Sequence, residues 1–198
     1  MIKRIVSNVA MWLVLAMLAL VLLSWLLSAT TGDGVRSLLS SEGIRFFFGG
    51  FVAMVQKPLL VWLLLLSMAW GAVRGSSILG VFSAPVPLRQ RRGLLLLLAA
   101  MLLGYVGVVL LLTAIPHAVL LSATGGLWPS AFSRALVPVV AFGAVLLAVV
   151  YGLVSRRFLS VADITQALIS GIASAAPLLL LYVLAVQLYE SLRFVVGS

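Results

Sequence analysis

The sequence predicts an all-α polytopic membrane protein with about five transmembrane helices, an interfacial helix and a re-entrant or interfacial segment. Three observations predict it. Apolar residues make up 64% of the 198 residues and charged residues only 9%, whereas a soluble domain carries about 25% charged residues. Five apolar runs each approach the roughly 20 residues that a helix needs to cross the hydrocarbon. The basic residues stand between those runs.

Thirteen Lys/Arg face four Asp/Glu. Such an excess would suit nucleic acid if it lined one polar face. Here it punctuates apolar runs, the pattern of positive-inside topology. The expected partner is therefore the lipid bilayer and not nucleic acid. There is no cysteine, so disulfides and thiolate metal sites are excluded.

The first span is placed at 8–29. It is too long for a typical signal peptide and lacks a small-residue cleavage site, so it reads as a retained span. Nothing charged lies between Arg4 and Asp33, and Trp12 and Trp25 suit the two interfaces. Lys3 and Arg4 precede this span and predict a cytoplasmic N-terminus. Thr31-Gly-Asp-Gly34 is a turn.

The interfacial helix is placed at 41–55. Ile44, Phe47, Phe48, Phe51, Val52 and Val55 trace one helical face. A helix of this kind lies in the headgroup plane or packs on a partner. Phe47, Phe48 and Phe51 are therefore interface candidates. Glu42 suits the positive helix N-terminus and is spaced to meet Arg45. Pro58 fits the first turn of the next helix.

Span two is placed at 59–82. Gly71 and Gly75 form a GxxxG pair, which permits close helix approach and makes both packing candidates. Pro85 to Arg92 is a loop with three arginines, the strongest cytoplasmic signal in the chain. Anionic lipid headgroups could bind there, although topology alone explains the arginines equally well.

Span three is placed at 94–115 and ends at Pro116-His117. Residues 118–129 are apolar but short and broken by Gly125-Gly126 and Pro129. They are too short to cross and too apolar for an open loop, and so read as re-entrant or interfacial. Span four is placed at 135–154, and Arg156 and Arg157 return the chain to the cytoplasm. Asp163 reads as the N-cap of span five, which is placed at 168–189 with a kink at Pro177. Gln166, Ser170 and Ser174 share a helical face, and with Gln187 they are the substrate-path candidates.

Eight basic residues fall on the predicted inside: Lys3, Arg4, Arg74, Arg89, Arg91, Arg92, Arg156 and Arg157. All 198 residues read as a single membrane domain.

No catalysis is expected. His117 is the lone histidine, without partners for a metal site or a triad. The carboxylates are far apart, and no glycine run has a phosphate-binding context. No cofactor or metal is expected. Coupled transport usually uses an intramembrane carboxylate, and none lies between Glu42 and Asp163.

Ser37-Leu-Leu-Ser-Ser-Glu-Gly-Ile-Arg45 precedes a helical run, a Pro-Leu step and a long span containing Gly71 and Gly75. This order resembles the p-aminobenzoyl-glutamate transporter (AbgT) family, which enters its second span through a similar S-L-L-S-x-E-G-I-R. Leu22 to Ser28 resembles the family's first span. Asp163-Ile164 followed by Ala185-Val-Gln187-Leu188 resembles a later segment ending in A-A-Q-F.

The resemblance implies a dimeric inner-membrane transporter whose re-entrant hairpins carry solute and coupling-ion residues. Gln56-Lys57-Pro58-Leu59-Leu60 stands where the family has an Asn-Phe step and a Pro-Leu-Gly turn. No carboxylate matches the hairpin aspartate. The implied protein is thus a shortened member lacking the central transport core. It would take part in moving p-aminobenzoyl-glutamate or related solutes as an oligomer. The alternative is a scaffold or accessory subunit that binds itself or a partner membrane protein.

Overall fold

The computed structural model describes residues 2–31, 35–82, 88–114 and 131–197. The expected turn at 32–34, the Pro116-His117 stop and the segment 118–129 lie outside the described residues. The described residues form helices and turns, and five helices are long and apolar enough to cross a membrane.

Helix α1 spans Ile2–Thr31. The expected single helix at 41–55 is instead broken into three pieces. These are α2 (Ser41–Ile44), a π-helical turn at Arg45–Gly49, and α3 (Phe51–Val55). Helix α4 spans Pro58–Ser76, with Pro58 as its first residue, where the missing N–H costs nothing. It ends six residues earlier than the span placed at 59–82. Ser77 adopts φ 57°, a left-handed conformation that stops the helix, and a 3-10 turn follows at Ile78–Phe82. Helix α5 spans Leu88–Ala114, α6 spans Ala131–Val154 and α7 spans Val161–Val196. Helix α7 continues through Pro177 and is far longer than the span at 168–189.

The residues group into two compact units. The first comprises Met1–Val61 and Ala175–Ser198, and the second Trp62–Ser174.

In the second unit α4 and α7 meet closely. A Cβ on Gly71 would lie 2.7 Å from the Cα and N of Gly171, and one on Gly171 would lie 2.8 Å from Gly71. Real Cβ atoms do not come so near, so backbone meets backbone at this point. Gly71, Ala167 and Gly171 are buried, and small residues at such spacing drive helix association in lipid. A Cβ on Gly75 would meet the Ala167 methyl at 2.7 Å and the Phe158 ring at 3.6 Å.

The α6–α7 turn is built from local bonds. Arg156 takes φ 53°. The Arg157 and Phe158 amides donate to the Gly152 carbonyl at 2.8 and 3.0 Å, and Arg156 N–H donates to Leu153. This reversed hydrogen-bond pattern closes the helix C-terminus. The Phe158 ring then folds back onto Gly152, where any side chain would collide with it.

Asp163 is not the N-cap of α7. Ser160 holds that position, and its hydroxyl accepts from Asp163 N–H at 3.3 Å. The Asp163 carboxylate accepts from Ser160 N–H at 2.9 Å and from Leu159 N–H at 2.8 Å. The pair is a reciprocal cap, and it starts the helix earlier than a cap at Asp163 would.

Helices α5 and α6 pack through Tyr105. Its hydroxyl donates to the Val139 carbonyl at 2.7 Å, and its ring lies over Gly143. A cavity of about 420 Å³ lies beside this contact, lined by apolar side chains from Leu102 to Leu110 and from Leu136 to Leu147.

Most of the large apolar side chains point outward. No residue is buried in the most apolar window of α5, and 6% are in that of α1. Helices apolar all round suit a lipid solvent.

The backbone contact at Gly71 and Gly171 yields a prediction. Gly171→Leu should lower stability by about 1–3 kcal/mol or more. Gly104→Leu, at a position where a Cβ would meet nothing within 4 Å, should stay within about 0.5 kcal/mol. Thermal unfolding in detergent measures both.

Candidate functional site

The first unit contains a polar cluster where residues 36–57 meet the last third of α7. The sequence sets it up locally. Ser24 is fully buried on α1; its hydroxyl donates to Val21 and accepts from Leu38 N–H at 3.1 Å. The Arg36 amide donates to the Val195 carbonyl at 3.1 Å. Ser40 caps α2, its hydroxyl accepting from Gly43 N–H at 3.0 Å and donating to Ser37 at 2.7 Å. Gly43 sits against the Ser37 and Leu38 carbonyls with no room for a Cβ.

Side chains complete the contact. Tyr182 donates to the Val55 carbonyl at 3.2 Å. Lys57 pairs with Glu190, and its ammonium lies 5.7 Å from the centre of the Tyr189 ring. The pair is partly shielded, with Glu190 15% exposed, so the attraction is less screened than at an open surface. Phe46 stacks on Phe194 with ring centroids 4.3 Å apart, and the Arg36 guanidinium lies 5.8 Å from the Phe194 centroid. Among the described residues no ion pair joins Glu42 to Arg45.

The inward face of residues 41–55 is Gly43 and Met54, with Phe46 and Gly50 half-buried. The residues that share the predicted apolar face point outward: Phe48 is 75% exposed and Val52 70%, Ile44 and Phe51 are exposed, and Phe47 is half-buried.

Of the path candidates, Gln166, Ser170 and Ser174 are exposed. The Ser170 hydroxyl donates to the Ala167 carbonyl and that of Ser174 to the Gly171 carbonyl, both at 2.7 Å. These three lie in the second unit. Gln187, in the first, is buried, and neither its amide nitrogen nor its oxygen has a hydrogen-bond partner. Ser191, one turn on, is fully buried with an unpartnered hydroxyl. Such groups are rare in native structures, because each costs about 1–3 kcal/mol. Among the described residues no cluster of His, Cys, Asp or Glu could hold a metal ion.

Sequence reasoning did not single out Ser24, Arg36, Phe46, Ser191 or Phe194. The usable signal was charge: Lys57 and Glu190 carry opposite signs.

These features define a helical membrane protein. No protein-family model matches the chain, and no curated protein matches its sequence. Among solved structures it is similar to the YdaH transporter of Alcanivorax borkumensis, whose crystal structure revealed an unusual topology. The TM-score is 0.75 at 15% identity, covering 96% of this chain and 71% of that one. The TM-score shows a shared fold, and the identity carries the likeness no further.

The contacts in the first unit fix a sidedness prediction. Helix α1 has 30 residues, about 45 Å, enough to cross once. The contacts then hold residues 36–57 beside residues 182–195. With no native cysteine, single cysteines report accessibility cleanly. Gln56→Cys and Gly197→Cys should react with an impermeant maleimide from the same side, and Arg4→Cys from the other. Labelling of Gln56→Cys and Gly197→Cys from opposite sides would contradict the arrangement.

Proposed function

We propose that the chain is a shortened transporter of the AbgT type that takes part, as an oligomer, in moving p-aminobenzoyl-glutamate or related solutes. The observation that carries this reading is the fold shared with the YdaH transporter over 96% of the chain. The motif from Ser37 to Arg45 supports it from the sequence side. Within it the Leu38 amide donates to Ser24 on α1, Ser40 caps α2, and Gly43 fits against the Ser37 and Leu38 carbonyls. The reading places the protein in the inner membrane with residue 4 cytoplasmic. Catalysis plays no part in it.

In this reading α7 lines the solute path. Gln187 is its central polar group, since a buried amide without a partner can exchange bonds with a passing solute. Gln166, Ser170 and Ser174, in the second unit, are separate path candidates whose exposed face a second copy would have to cover.

A second reading, a scaffold or accessory subunit, is favoured by one observation. Phe48 and Val52 form an exposed apolar step at 75% and 70% exposure.

Calorimetric titration of p-aminobenzoyl-glutamate into the purified protein separates the readings. Transport predicts saturable binding that weakens in a Gln166→Ala/Ser170→Ala variant. Absence of binding, together with co-purification of a partner, would favour the scaffold. A further expectation concerns Gln187→Leu. Removing an unpartnered buried amide should raise stability by about 1–3 kcal/mol, while solute binding falls at least tenfold. Unchanged binding in that variant would remove Gln187 from the path.

A further inference from the structure

The α6–α7 turn of the second unit sets exposed apolar side chains beside exposed arginines. Leu159 and Val161 are 81% and 78% exposed, more than any other large apolar residue among those described. Arg156 and Arg157 stand just before them and are also exposed. Arg74, exposed near the end of α4, belongs to the same end of the unit: a Cβ on its neighbour Gly75 would meet the Phe158 ring at 3.6 Å. We propose that this end of the second unit binds anionic phospholipid, with Arg74, Arg156 and Arg157 at the phosphates and Leu159 and Val161 among the first acyl carbons. This proposal stands independently of the transport reading.

The apolar pair sets the depth. In the middle of a span an exposed leucine is ordinary, because lipid tails surround it. Val161 is instead the first residue of α7, and Leu159 precedes the helix. In water such exposure is unfavourable. At the boundary between headgroups and tails both side chains find apolar surroundings, and the adjacent guanidinium groups stand among the phosphates.

The backbone shows that the turn does not need these guanidinium groups. Arg156 takes φ 53°, a conformation in which glycine is the usual residue. The turn closes through main-chain bonds to the Gly152 and Leu153 carbonyls, which glycine would make equally well.

Charge selects the lipid. Asp163 is the one acid between residues 62 and 174. Its carboxylate accepts from the Leu159 and Ser160 amides, and among the described residues no ion pair joins it to an arginine. Arg74, Arg156, Arg157 and Asp163 together carry a net charge of +2. The planar guanidinium suits phosphate, to which it offers paired donors. A net anionic headgroup matches this surplus, whereas a zwitterionic one brings its own cation.

The test is thermal stability of the detergent-purified chain titrated with phosphatidylglycerol, phosphatidylcholine or inorganic phosphate. Phosphatidylglycerol should raise Tm by about 4 °C at saturation, phosphatidylcholine by far less, and inorganic phosphate not at all. Arg156→Gly, which keeps the left-handed turn, and Arg157→Gln should each raise the half-saturating phosphatidylglycerol concentration about fivefold. Leu159→Ser should raise it as well. Arg45→Gln, which alters an exposed arginine of the first unit, should leave it unchanged. If the arginines served only the helix ends, the phosphatidylglycerol shift would survive intact in Arg156→Gly and Arg157→Gln, and the proposal would fall. An equal shift from inorganic phosphate, or an unaltered titration in Leu159→Ser, would overturn the lipid in favour of a free anion. An equal shift from phosphatidylcholine, or an equal weakening in Arg45→Gln, would overturn the site.

Discussion

Lipid cannot hydrogen-bond a peptide group, so every break in a membrane helix must satisfy its own backbone. The described breaks in this chain follow that constraint with short local devices. Ser77 ends α4 in a left-handed conformation. Arg156 ends α6 in the same way, with Gly152 taking two amide bonds. Ser160 and Asp163 start α7 reciprocally, and Ser40 starts α2. Serine hydroxyls within the spans bond mostly to carbonyls of their own helix, as at Ser67, Ser170 and Ser174. Gln187 and Ser191 stand out because they do not follow this economy.

The spans were legible because length and hydropathy suffice to recognise a helix in lipid. Asp163 and Pro58 were also readable as marks of helix starts, although the cap proved to be Ser160. The orientation of the faces was not legible. In water, an apolar stripe predicts the buried side. In lipid, large apolar side chains can face outward, and the buried side is chosen by small residues and close fit. Hence Phe48 and Val52 point out while Gly43 and Met54 point in. On α7 the same rule buries Ala167, Gly171 and Ala175 and leaves Gln166, Ser170 and Ser174 exposed. The pairing of Lys57 with Glu190 spans 133 residues, a distance at which spacing gives no information.

The interfacial segment illustrates how structure and chemistry combine. A helix of regular pitch from 41 to 55 would carry its residues in one continuous register. The π-helical turn at Arg45–Gly49 widens that register. Phe46 stacks on Phe194, Lys57 meets Glu190, and Met54 remains buried. Such turns often accompany functional sites.

We propose that a solute crosses the membrane through this protein. Reconstituting the purified chain into liposomes and measuring uptake of labelled p-aminobenzoyl-glutamate under sodium and proton gradients tests it most directly. Uptake should exceed that of protein-free liposomes and saturate with solute. Folded, correctly inserted protein giving no flux under either gradient would contradict it.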